Sequence, residues 1–372
     1  MRIGILTLPF NNNYGGYLQS YALMTVLKRM GHDVELIYRR HNRRPLMLRA
    51  KRFMKELIKA LVGRKHGSII PNQEKEYRER GELMMSFVDR YISPKTKPLY
   101  STLELTNVCM GRYDAIVVGS DQVWRPDFVP NIEDFFLGFI RQDTIRRIAY
   151  AASFGGRFPL YSKEEKTQCG ELLSMFDDVS IREESGVNIM RDFGWLRKKT
   201  PEVVLDPTML LEKTCYEAIV NNHIPREKYV CTYVLDESQD AQAMIDAVVS
   251  MLNCAERCII DTKTWKSPNY KMPSIEKWLG EIYNAEFVVT DSFHGTVFSI
   301  IFNKSFIVYE NKGRGADRFH TLLRHFGLED RIATGLADVN RVMGQQINWK
   351  YVNDKIQEKR IKSLEFISKA LK

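Results

Sequence analysis

Phe287-Val288-Val289-Thr290-Asp291-Ser292-Phe293-His294-Gly295-Thr296 is the stretch that decides the fold. Its first four residues are apolar and β-branched or aromatic, the composition of a short buried strand. A polar turn, Asp291 to Thr296, follows, and an apolar helical run begins at Val297. A strand that leaves through a polar, glycine-bearing turn into a helix is one βα unit. Such units assemble parallel sheets covered by helices.

Working outward, similar apolar runs recur at 3–8, 34–38, 115–119, 148–153, 179–182 and 203–206, then at 229–235, 258–261 and 306–309. Nearly continuous apolar strands suit a parallel sheet buried on both faces. Helical spacing lies between several of them. Leu18, Ala22, Val26 and Met30 share one face, Lys28 and Arg29 sit where the helix dipole favours cations, and Gly31 suits the residue past the end. The expected fold is α/β, with two Rossmann-like halves. The chain leaves a strand through Leu205-Asp206-Pro207-Thr208 into a polar stretch. The halves are therefore expected at 1–210, with a basic amphipathic insertion at about 40–100, and at 211–345. A closing helix follows at 346–372.

With 372 residues, 44% hydrophobic and 27% charged, the chain has the composition of a globular protein of two domains. Net charge is +9, yet residues 39–65 hold eleven Lys or Arg and one acid, so the rest of the chain is close to neutral. One basic segment on a near-neutral body argues against a nucleic-acid binder. Within it, residues 46–62 read as a basic amphipathic helix. That pattern fits either a peripheral contact with an anionic membrane surface or a solvated face of a packed helix. No apolar run is long enough to span a membrane, and the N-terminus reads as a strand, so a cytoplasmic location is expected. The six cysteines lack metal-site spacing, and no metal is expected.

Five stretches end strands or follow them, where open α/β sheets bind ligands. The turn Asn13-Tyr14-Gly15-Gly16 can bring backbone N–H groups and a helix N-terminus to an anion, or can serve packing alone. It is neither a dinucleotide fingerprint nor a Walker loop. Gly119-Ser120-Asp121-Gln122 offers Asp121 as a proton acceptor for a sugar hydroxyl, or as a turn former. Arg182 ends a strand and offers a planar fork to carboxylate or phosphate, or an ion pair to Glu183 or Glu184. His294 sits at a helix start, where it can move protons beside a bound anion. Arg314 and Arg318, near glycines, can clamp an anion or line a solvated loop.

Read together, these segments resemble the polysaccharide pyruvyl transferase family. The motifs are Asn13-Tyr14-Gly15 with Leu18-Gln19-Ser20-Tyr21-Ala22-Leu23, Gly119-Ser120-Asp121-Gln122-Val123-Trp124, Ser180-Ile181-Arg182-Glu183, Leu205-Asp206-Pro207-Thr208, Thr290-Asp291-Ser292-Phe293-His294-Gly295-Thr296 and Asp317-Arg318. The resemblance implies a GT-B-like fold with two Rossmann-like domains facing a cleft. It implies phosphoenolpyruvate as co-substrate, with no further cofactor, and a pyruvate ketal on a sugar as product. The acceptor would belong to a surface polysaccharide or its lipid-linked precursor.

Carried over, Arg182 and His294 would lie around phosphoenolpyruvate. The expected catalytic residues are His294 and Asp121, and the expected substrate-binding residues are Arg182, Arg318, Arg314, Ser292, Thr296, Asn13, Tyr14, Gly15 and Gln122. Some pyruvyl transferases carry arginine two places before the histidine; this chain has Ser292 there, so Arg318 or Arg314 would replace it, or the donor differs. Two alternatives stand beside this reading: a nucleotide-sugar glycosyltransferase of the same fold, and a non-catalytic polysaccharide-assembly protein.

Overall fold

The computed structural model describes residues 1–11, 13–43, 54, 79–141, 144–156, 160–196, 200–220, 227–236, 238–261, 264, 267, 270–310 and 317–372. The basic stretch 46–62, Met54 apart, and Arg314 lie outside them.

Two parallel sheets organise the chain. The first holds β1 (Arg2–Leu6), β2 (Asp33–Leu36), β3 (Ala115–Val118), β4 (Arg146–Ala152), β5 (Asp178–Ile181) and β6 (Glu202–Val203), in the order β2-β1-β3-β4-β5-β6. The second holds β7 (Tyr229–Tyr233), β8 (Ala255–Cys258), β9 (Phe287–Thr290), β10 (Ser305–Tyr309) and β11 (Ile332–Ala333), in the order β11-β10-β9-β7-β8. Every pairing is parallel. β3 is buried at all four positions, as its Ala-Ile-Val-Val sequence requires of a strand covered on both faces.

Each sheet has a point where the strand order reverses: between β1 and β3 in the first, and between β7 and β9 in the second. Ligands of open α/β sheets bind outside the carboxyl ends of strands at such points. Asp291 stitches the second one. Its two carboxylate oxygens accept the backbone N–H groups of Leu235 and Asp236 at 2.8 and 2.9 Å, tying the end of β9 to the end of β7.

Two strand expectations need correction. The run 258–261 is displaced: β8 is Ala255–Cys258, an edge strand whose Glu256 and Arg257 are not buried, so its pattern is polar. β11 has two residues, too few to show a period.

One large apolar core runs through both halves. Tyr14 begins the helix Tyr14–Arg29 beneath the first sheet, stacks on Trp278 at 5.3 Å between centroids, and donates its hydroxyl to the Pro273 carbonyl at 2.9 Å. The last helix, Trp349–Ala370, returns to the first half. There Ser363 Oγ accepts the N–H of Leu205, Arg360 donates to the carbonyls of Met209 and Leu211, and Phe366 lies 6.2 Å from the Tyr150 ring. No described helix is long and apolar enough to cross a membrane.

Candidate active site

The carboxyl ends of β3, β5 and β6 converge on one guanidinium. Arg182 follows β5 and is 4% exposed. Its Nη1 donates to Asp206 at 2.9 Å and its Nη2 to Asp121 at 3.3 Å; Nε lies 3.5 Å from Glu183 without a formed hydrogen bond. The Phe293 ring covers the guanidinium face at 4.2 Å. Burial alone would lower the Arg182 pKa, but the three carboxylates outweigh it and raise it. Arg182 is therefore not an open fork for an anion. It is the post around which three strand ends are assembled, and Asp121 and Asp206 join Glu183 as partners.

The backbone is shaped for this. Gly119 has φ 117, and a Cβ there would run into the Tyr150 carbonyl. Asp121 has φ 72, a left-handed conformation that short polar side chains tolerate. Its second oxygen accepts from Asn13 Nδ2 at 3.3 Å, so Asp121 is 2% exposed and doubly held. Gln19 bridges the switch point, donating to Thr7 Oγ1 at 2.7 Å and accepting the Ser120 N–H at 3.0 Å.

The second half contributes His294. The helix Phe293–Ile301 starts four residues before Val297, with Ser292 as its N-cap: Ser292 Oγ accepts from Gly295 N. His294 thus stands in the first turn, 5% exposed. Its Nε2 has no hydrogen-bond partner and lies 3.5 Å from Asp206 Oδ2. The opposite edge of the ring rests on Gly15, where a Cβ would overlap Nδ1, Cε1 and Cγ. Phe293 meets the ring edge-on at 5.2 Å. Burial would raise the Asp206 pKa, but His294 and Arg182 outweigh it and hold the carboxyl below the usual range.

Arg318 lies in the first turn of the helix Asp317–Phe326, half-buried, and its Nε has no hydrogen-bond partner among the described residues. Burial first, then the like charge of Arg182, pushes its guanidinium down to about 10, against the pull of Glu183 and Asp121. It remains protonated at neutral pH, a cation in the field of Arg182, Glu183 and Asp121.

The other candidates are placed as follows. Asn13 is exposed, caps the Tyr14–Arg29 helix by accepting from Gly15 N, and reaches Asp121. Tyr14 is fully buried in the core against Trp278. Gly15 makes room for His294. Ser292 is spent on the helix cap. Thr296 is fully buried and donates to the Ser292 carbonyl. Gln122 accepts from Arg125 at 3.3 Å and lies against Gly155. Asp206 and Glu183, motif residues outside the expected site, belong to it; an acid directly after an apolar strand is the sequence signal that marks them.

A family model described as polysaccharide pyruvyl transferase matches residues 13–313, a range that includes Asn13, Asp121, Arg182, Glu183, Asp206 and His294. The chain belongs to the polysaccharide pyruvyl transferase family. No curated protein matches it in sequence. In fold, this family member is similar to the UDP-GlcNAc 2-epimerase of Neisseria meningitidis bound to UDP-GlcNAc (TM-score 0.54, 9% identity, covering 100% of this chain and 99% of that one). It is also similar to a putative UDP-N-acetylglucosamine 2-epimerase of Listeria monocytogenes (0.56, 8% identity, 96% and 91%). A third similar structure is the UDP-GlcNAc 2-epimerase of Methanocaldococcus jannaschii (0.52, 12% identity, 94% and 93%). At these identities the likeness establishes the GT-B-like fold alone.

Proposed function

We propose that the chain transfers the pyruvyl group of phosphoenolpyruvate to two hydroxyls of a sugar, forming a pyruvate ketal. The observation that carries this reading is that two groups adjoin the ion-paired cluster: His294, buried in the first turn of a helix and 3.5 Å from Asp206, and Arg318, whose Nε has no hydrogen-bond partner among the described residues. The family membership supports the donor.

In this scheme a proton is added to the methylene carbon of phosphoenolpyruvate, and a sugar hydroxyl oxygen bonds to the adjacent carbon. A second hydroxyl of the same sugar then bonds to that carbon while its bond to the phosphate oxygen breaks. The two hydroxyl protons replace the one added at carbon and the one taken by leaving phosphate. His294 exchanges protons with the reactants. Arg318 receives the carboxylate or phosphate, aided by the N-terminal dipole of the Phe293–Ile301 helix. Arg182 and Asp121 hold the frame rather than the substrate. The acceptor is a sugar of a surface polysaccharide or of its lipid-linked precursor, met at the cytoplasmic face. A peripheral membrane contact through residues 46–62 belongs to the same proposal.

Phosphate release from phosphoenolpyruvate, measured with a panel of acceptor sugars, tests the reading. Arg318→Met is expected to raise the KM for phosphoenolpyruvate by about tenfold or more, the worth of a hydrogen bond to a charged group. Its melting temperature should hold or rise, because an under-paired buried cation has been removed. His294→Ala is expected to lower kcat by about 100-fold to 10,000-fold, the usual worth of a positioned acid or base. Stabilisation by UDP-sugars but not by phosphoenolpyruvate in a thermal-shift comparison would overturn the proposal in favour of a nucleotide-sugar enzyme.

A further inference from the structure

Asp206 is the carboxylate that meets both Arg182 of the first half and His294 of the second. It stands just past β6 and is buried to 2% exposure. One of its oxygens is fully occupied locally: Oδ1 accepts the N–H of Thr208 at 3.0 Å and the Thr208 hydroxyl at 2.7 Å. That anchors the carboxylate's rotation. The other oxygen, Oδ2, takes Arg182 Nη1 at 2.9 Å and the Ser120 hydroxyl at 3.3 Å, and faces His294 Nε2 at 3.5 Å.

The His294 ring has little freedom to present another edge. Gly15 lies against Nδ1, and Phe293, itself pinned on the Arg182 guanidinium, meets the ring edge-on. Nε2 is buried with no hydrogen-bond partner. A buried ring nitrogen that faces an ionised carboxylate is the one that carries the proton. A lone pair there would oppose the negative charge and leave both atoms unsatisfied. At 3.5 Å the contact is longer than a formed hydrogen bond, as is common for catalytic pairs without substrate.

We propose that Asp206 is a positioning residue that holds neutral His294 as its Nε2–H tautomer, so that Nδ1, at the start of the Tyr14–Arg29 helix, is the nitrogen that exchanges protons with substrate. Asp206 remains ionised throughout. When Nδ1 takes a hydroxyl proton the imidazolium forms against the carboxylate, and when Nδ1 gives its proton to the methylene carbon the neutral Nε2–H ring returns. This inference deepens the pyruvyl-transfer reading and takes its reaction from it, but the tautomer is a property of the free protein.

The charged and titratable groups packed around the pair come from several elements. Arg182 meets Asp206 directly; Asp121 and Glu183 act through Arg182; Tyr150 and Tyr216 feel the Asp206 charge from the core, and burial raises both phenols so that they stay neutral. Arg318 adds a cation over the same cluster. Asp206 is thus the carboxylate nearest the ring, and the only one the structure places against a ring nitrogen among the described residues.

The test is nitrogen NMR on the full chain labelled at histidine, with the His294 signals assigned by their absence from His294→Asn. The wild-type neutral ring is expected to show a protonated Nε2 and a bare Nδ1. A protonated Nδ1 overturns the proposal without any variant. In Asp206→Asn, the neutral ring should become a mixture of tautomers, with kcat down about 100-fold or more and the KM for phosphoenolpyruvate within about threefold. A purely structural role would leave the tautomer in place and also overturns it. Should Asp206→Asn fail to fold, Thr208→Val keeps the charge and removes one anchor of Oδ1. It should mix the tautomers partially, and an unchanged ring overturns the proposal. If the wild-type tautomer is as expected and phosphoenolpyruvate is not turned over, the positioning inference stands and the pyruvyl-transfer reading falls.

Discussion

Gly15→Ala is expected to lower kcat/KM for phosphoenolpyruvate by about 100-fold or more, the scale on which a displacement of about 1 Å of a reacting group is felt. The added methyl would occupy the space of the His294 ring, overlapping Nδ1, Cε1 and Cγ. The ring cannot retreat freely, because Asp206 and Phe293 lie on its other sides. Stability should change far less. Overpacking costs about 1–3 kcal/mol, offset by the roughly 1 kcal/mol by which alanine is preferred to glycine in a helix.

Gly16 supplies the control. A Cβ there meets only Asn13 Nδ2 at 3.9 Å, an ordinary contact, so Gly16→Ala should be active and as stable as the wild type or more so. Steady-state kinetics with urea unfolding on both variants decides the matter. Equal damage from the two substitutions would mean that the turn serves backbone approach to a ligand and not space for histidine.

The second large effect is on stability. Arg182→Met should destabilise the fold by about 3–5 kcal/mol, the usual result of removing one partner from a buried ion-paired set. Asp121 and Asp206 would lose their shared cation, and Glu183 its nearest one. The pH dependence has a definite sign. In the wild type, Asp206 is held below its unfolded pKa, so its contribution is complete above about pH 4 and is lost only as pH falls through the lower, folded value. Without Arg182 the carboxylates are buried with less counter-charge, and the folded pKa of Asp206 rises. The penalty must then grow as pH rises, and be larger at pH 8 than at pH 5. Denaturant unfolding of both proteins at the two pH values measures it. A penalty below about 1 kcal/mol, or one that shrinks with rising pH, would mean that Arg182 is not the organising cation. The contrast with Arg318→Met separates the two arginines: one holds the frame, while the other is expected to cost binding and not stability.

The reading of the late turn from sequence shows where local information stops. The Phe287 strand, the polar turn and the following helix are one contiguous segment, and their type follows from spacing alone. The start of that helix does not. Ser292 caps it, so Phe293 to Thr296 are already helical and Thr296 is inside the core. Tyr14 misled for a different reason. It stands in a ligand-like turn, but Trp278 and Pro273, more than 250 residues away, claim its ring and hydroxyl. The edge strand β8 is displaced from the expected run because exposed Glu256 and half-buried Arg257 break the apolar pattern that marks the buried strands.

The amino-acid sequence by itself determined the α/β class, the two sets of parallel strands, the family resemblance and the histidine turn, because each rests on residues a few positions apart. Tertiary structure alone decided what those residues do. Arg182 finds Asp121 across 61 positions and Asp206 across 24, and His294 finds Gly15 and Asp206 from the other half of the chain. Burial removes water as their competing partner, so the charges settle on one another. Arg182 is held by two carboxylates, whereas Arg318 Nε has no hydrogen-bond partner among the described residues.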